Sequence, residues 1–81
     1  MTLTVNDLKR GDKCFIKDVA TEQLPIKLLE LGCLPGNSIE LVEIAPLGDP
    51  LYLIINGTHM AIRREMAQYI EVELSNSDSN E

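Results

Sequence analysis

Tryptophan is missing from this chain, and among its 81 residues phenylalanine occurs once and tyrosine twice. Its core must therefore be aliphatic, and an aromatic-lined groove for a polyproline ligand has little to be built from. Histidine occurs once, at His59, and the two cysteines, Cys14 and Cys33, have no second Cys or His at ligand spacing. These gaps exclude a readable zinc motif, a disulfide framework and a Ser-His-Asp or Cys-His constellation, so no catalytic residue, metal ligand or cofactor is assigned. Seven basic against thirteen acidic residues leave a net charge of -6. That is the wrong sign for phosphate backbones, and nucleic acid is not an expected partner. No stretch approaches the ~20 apolar residues of a membrane span, and no basic segment leads into an apolar run, so a soluble cytoplasmic protein without membrane insertion is expected. Phosphate loops are lacking too, because Gly32, Gly36 and Gly48 punctuate turns and do not open a helix.

What the chain does hold is aliphatic residues in alternation with turn formers. Hydrophobic residues make up 44% of it, enough for one small domain over residues 1–74, near the lower limit of what buries a core without staples. Residues 75–81 are polar and lack apolar anchors, which predicts a disordered tail. Asn6-Asp7-Leu8 reads as a capped helical turn, and Gly11-Asp12 then resets the chain into a strand over 13–18 with Cys14 and Ile16 inward. Thr21 is expected to cap a helix over 22–31, with Leu24, Leu28 and Leu31 in one stripe and Ile26 and Leu29 in a second. That helix stops at Gly32, and the chain turns again at Pro35-Gly36.

The strands that follow carry more specific signals. Over 37–45 the alternation changes phase, Ile39 and Leu41 falling on one face and Val42 and Ile44 on the other, which predicts a bulge near Leu41 to Glu43. Asn56-Gly57 between two apolar runs predicts a type I′ hairpin that pairs Ile55 with Thr58, Leu53 with Met60 and Leu51 with Ile62. Arg64 to Ala67 has room for one helical turn. A last strand over 68–74 places Ile70, Val72 and Leu74 inward and Tyr69, Glu71 and Glu73 outward. The fold class is all-β with a short helix, in a small five-stranded barrel.

Two faces are candidates for partner binding. One is the helix face at Ile26, Lys27, Leu29 and Glu30, unless Ile26 and Leu29 pack under the N-terminal segment. The other is the outer hairpin face with Tyr52, Ile54 and His59, where half-exposed apolar groups are also common without a partner.

Leu8-Lys9-Arg10-Gly11-Asp12, Lys27-Leu28-Leu29-Glu30-Leu31-Gly32 leading into Pro35-Gly36, Ala45-Pro46-Leu47-Gly48-Asp49-Pro50, and Ala61-Ile62-Arg63-Arg64 with Ala67 and Ile70 downstream form an ordered set. In that order and spacing the chain resembles the FeoA family of bacterial ferrous iron uptake, with Lys27 where the family often has Arg. The resemblance implies an SH3-like barrel and an accessory or regulator acting by protein-protein contact with FeoB, the transporter with a cytoplasmic GTP-binding domain. It implies a cytoplasmic location at the inner face of the membrane, and it attaches the label of transition metal ion binding without supplying ligands. Self-association stays open. Alternatives are an SH3-like module of the kind found in DtxR-type metal-dependent repressors, or a peptide-binding adaptor; the missing helix-turn-helix part and the initial Met favour the stand-alone accessory.

Overall fold

A computed structural model describes residues 3–74; the tail expected at 75–81 lies outside them. The elements in chain order are β1 (Leu3–Thr4), a 3-10 turn (Val5–Asp7), β2 (Lys13–Val19), α1 (Ile26–Glu30), β3 (Ser38–Ile44), β4 (Leu51–Ile55), β5 (Thr58–Ile62), α2 (Arg64–Ala67) and β6 (Ile70–Leu74). All strands join one antiparallel sheet in the order β1-β6-β2-β3-β4-β5. The five expected strands are present, and the two-residue β1 adds a sixth at the edge of β6.

The hairpin follows the expected register, with Ile55 opposite Thr58, Leu53 opposite Met60 and Leu51 opposite Ile62. Asn56 and Gly57 both take positive φ, 51° and 80°, as a type I′ turn demands. In β3 the register shifts between Leu41 and Glu43. The bulge brings Ile44 back opposite Leu51 and leaves Val42 on the surface, so Ile39 and Leu41 serve the core and Val42 does not. A second bulge lies between Ile16 and Asp18 in β2. It extends that strand to Val19, which is buried with Cys14 and Ile16.

Bending by the two bulges lets residues from both ends of the sheet, Ile62 and Leu51 from one and Val5 and Ile70 from the other, share a single core cluster. As the missing tryptophan requires, that core is aliphatic with two thiols.

Three expectations need correction. The helix begins at Ile26, with Pro25 as its extended N-cap and no side-chain cap; Thr21 caps nothing, because the residue before a proline is driven out of the helical region and Leu24 is buried before the helix starts. Tyr69, expected outward, packs half-buried against the core. Leu74 stands opposite Cys14 but is 41% exposed at the end of its strand.

Candidate functional site

Helix α1 spans only Ile26–Glu30, too short to carry two independent apolar stripes. Leu28 and Leu29 both pack against the core, which leaves Ile26, 71% exposed, beside exposed Lys27 and Glu30. Of the expected helix face, Leu29 is therefore half-buried against the core and only Ile26 is an exposed apolar residue. Its end is fixed by Gly32, whose φ of 113° no side-chain-bearing residue adopts readily. The Asn37 side-chain amide donates to the Gly32 carbonyl at 2.7 Å, and a Cβ on Gly32 would stand 2.9 Å from the Asn56 Cβ. The helix stop thus leans on the hairpin turn.

The outer sheet face is the more continuous surface. Lys13, Glu40, Ile54 and His59 form one cross-strand row over β2 to β5, and Tyr52 sits opposite Ala61 in the next. Phe15, at 50% exposure, shares a shallow groove with Lys13, Glu40 and Ile54. A second groove runs between Val42, Tyr52, His59 and Ala61. Since Ile54 and Tyr52 lie two apart on one face of β4, the grooves adjoin. The structure thus brings Tyr52, Ile54 and His59 together and adds Phe15 and Val42, while Ile26, Lys27 and Glu30 line neither groove. The phase change in the sequence sets Val42 on the face away from Ile39 and Leu41, but does not single it out as a binding residue.

Leu47 is 96% exposed in the Ala45–Pro50 turn, which Arg64 holds from below. The Arg64 Nε donates to the Gly48 carbonyl at 2.6 Å, its Nη1 reaches the Asn6 Oδ1 at 3.3 Å, and its backbone N–H donates to the Asp49 Oδ1 at 2.9 Å. In return the Asn6 side-chain amide donates to the Arg64 carbonyl at 3.1 Å. One arginine therefore ties α2, the 3-10 turn and the loop together. Sequence reading missed this because its partners lie up to 58 residues away.

Neither thiol is poised for chemistry. Burial pushes Cys14 up to about 11, with the Asp12 carboxylate adding to it, and burial alone pushes Cys33 up to about 11. Both stay protonated at neutral pH, the opposite of a reactive or ligating thiolate. Among the described residues no three His, Cys, Asp or Glu side chains are grouped to hold a metal. No helix among them is long and apolar enough to cross a membrane.

Comparison with known proteins adds a family. The FeoA domain model matches residues 3–74. Over 78 residues the chain is 37% identical to the Fe(2+) transport protein A/Fe(2+) transporter FeoB fusion protein of Porphyromonas gingivalis (strain ATCC BAA-308 / W83), covering 95% of this chain and 9% of that one. The chain thus spans about a tenth of the curated relative it matches. Among solved structures, the FeoA protein of Chlorobium tepidum superposes with a TM-score of 0.81 at 27% identity, covering 96% of this chain and 76% of that one. The zinc-complexed FeoA of Stenotrophomonas maltophilia, described as an SH3 domain protein, superposes at 0.74 with 25% identity, over 88% of this chain and 89% of that one. The fold is accordingly SH3-like.

Proposed function

The chain belongs to the FeoA family, which is involved in ferrous iron transport, and on that premise we propose that it binds the cytoplasmic part of a FeoB-type transporter and adjusts its activity. The observation that carries the proposal is the Porphyromonas gingivalis relative, whose name joins transport protein A and FeoB in a single chain. Two functions joined in one polypeptide work at high effective concentration, and a separate accessory must supply the same proximity by binding. In this reading the protein works in the cytoplasm at the inner face of the membrane, as an accessory without catalytic chemistry of its own.

The docking surface in this proposal is the outer sheet face. Phe15, Tyr52 and Val42 are each at least 41% exposed, and with half-buried Ile54 and the flanking His59 they give apolar anchors inside a polar rim, the arrangement that dominates binding energy in protein interfaces. Ile26, with Lys27 and Glu30, forms a smaller second contact. The chain's charge of -6 favours an electropositive counterpart on the transporter.

The test replaces Phe15 and Tyr52 together by serine, compares Ile26→Ser, and measures ferrous iron uptake through the transporter in cells that lack the native accessory. The double variant is expected to retain its fold by circular dichroism and to lose most of the stimulated or restrained component of uptake. Uptake indistinguishable from that with the unaltered protein would remove the sheet face; the same result with Ile26→Ser as well would remove both surfaces.

A further inference from the structure

β5 is an edge of the sheet, with β4 beside it and no strand beyond it among the described residues. In a two-residue hairpin the pairs Ile55 with Thr58, Leu53 with Met60 and Leu51 with Ile62 exchange backbone hydrogen bonds, and the residues between them turn theirs away. The N–H and C=O groups of His59 and Ala61 therefore point outward from the sheet, and no hydrogen bond among the described residues uses them. Natural edge strands are guarded by charge, proline, bulges or extreme shortness. The opposite edge, β1, has two residues and runs straight into the capped 3-10 turn. Thr58-His59-Met60-Ala61-Ile62 has no Asp, Glu, Lys or Arg, no proline and an unbroken register.

We propose that β5 pairs with β5 of a second copy of this chain, antiparallel about a two-fold axis at Met60. The register closes on itself. With Met60 facing the partner's Met60, His59 stands opposite the partner's Ala61 and Ala61 opposite the partner's His59, so the four outward groups of each strand all gain partners. Alanine at position 61 leaves room for the imidazole across from it.

Charge favours a second copy at this edge over its other surfaces, despite the net -6 of each chain. On the outer face the nearest carboxylate row, at Glu40, lies on β3, two strands in. Across the joined sheets these rows are about 24 Å apart at ~4.8 Å per strand, against a screening length of about 8 Å. Arg63 falls opposite the partner's Gly57, which puts the two arginines about 20 Å apart along the strands. Because one five-residue strand is a small contact, the dimer is weak and concentration-dependent.

Sedimentation velocity on the full chain from about 10 μM to about 1 mM, spanning weak association, tests this, alongside amide hydrogen exchange at both ends of the range. The expected result is a mean mass climbing from 9.0 kDa toward twice that value, with protection of the His59 and Ala61 amides rising at least severalfold. Ala61→Pro removes only an outward N–H, as edge prolines do, and is expected to stay monomeric with an unchanged circular dichroism spectrum. His59→Lys, which places two like charges diagonally across the axis, is expected to shift association to higher concentration and decides the matter if the proline variant fails to fold. A wild-type protein monomeric throughout overturns the proposal. So does association that folded variants leave unchanged, or that leaves the two amides unprotected, since the contact would then lie elsewhere or belong to a foreign strand.

Discussion

Replacing Gly32 by alanine is expected to damage the fold in two separable ways. The first is local: a φ of 113° lies beyond the left-handed helical well, where an L-residue costs on the order of 1–3 kcal/mol. The second is a collision, because the new methyl would stand 2.9 Å from the Asn56 Cβ and 3.0 Å from its Nδ2. Relief requires the hairpin turn to move, at about 1–3 kcal/mol by analogy with overpacked cores. Together the terms come to roughly 2–5 kcal/mol, against roughly 4–12 kcal/mol for a whole domain of this size. Thermal melting should fall by at least about 8 °C, read by circular dichroism with urea titration as a second measure. Asn56→Gly removes the obstructing side chain while tolerating the turn's positive φ, so Gly32→Ala made on that background should cost less by the collision term. Asn56→Ala, which keeps the Cβ, should recover little. A loss below about 1 kcal/mol in the unaltered background would refute the reasoning, and an identical loss with and without the Asn56 side chain would refute its steric half.

Removing the arginine clamp by Arg64→Ala leaves the Gly48 carbonyl without its 2.6 Å donor and should cost about 1.5–3 kcal/mol, with faster hydrogen exchange over 46–50; Arg64→Lys should recover little, since an ammonium lacks the planar fork. The thiols make stability pH-dependent at the alkaline end: their folded pKa values are raised from 9.0 to about 11, so above pH 9 the unfolded chain releases protons that the folded one keeps, and stability falls as pH rises toward 11. Denaturation midpoints measured over that window should decline less steeply in Cys14→Ala and Cys33→Ala, and parallel curves would speak against the assignment. At neutral pH a thiol reagent should label neither cysteine until the protein is unfolded.

Where the sequence resolved this fold, local chemistry and periodicity pointed to the same answer. Asn56-Gly57 admits few backbone conformations, and once that turn is set, every pair from Ile55 and Thr58 to Leu51 and Ile62 follows. The bulge at Leu41 to Glu43 was visible as a phase slip between Leu41 and Ile44. The same slip separates Ile16 from Val19 in β2, and it was hidden by ending the strand at Asp18. Helix α1 was misplaced because apolar spacing continues upstream of Pro25, whereas proline confines the residue before it to extended backbone. Surface assignment was less legible still. Leu29 and Ile26 share a stripe by arithmetic, yet a helix of Ile26–Glu30 is too short for its phase to be averaged, and its tilt alone decides which of the two is covered.

The residues that carry the family resemblance are occupied in holding turns. The Lys9 N–H donates to the Asp12 carboxylate at 2.8 Å, and the Gly11 N–H to the Leu41 carbonyl at 2.8 Å. Gly32 seats α1 against the hairpin, and Gly48, Asp49 and Arg64 form one hydrogen-bonded unit. Of the motif, Lys27, Glu30 and Leu47 stay exposed, while the groups that hold the turns are spent inside the molecule. The apolar anchors of the proposed sheet-face contact, Phe15, Val42 and Tyr52, lie outside the motif: each is at least 41% exposed, and none is a donor or acceptor in the turns that shape the fold. Their removal should therefore separate binding from stability, leaving the melting temperature within a few degrees while abolishing partner capture, whereas Gly32 or Arg64 substitutions should lower both together. Measuring melting and partner capture on the same set of variants checks this division, and a Phe15 and Tyr52 variant that loses stability in step with capture would place those side chains in the scaffold instead.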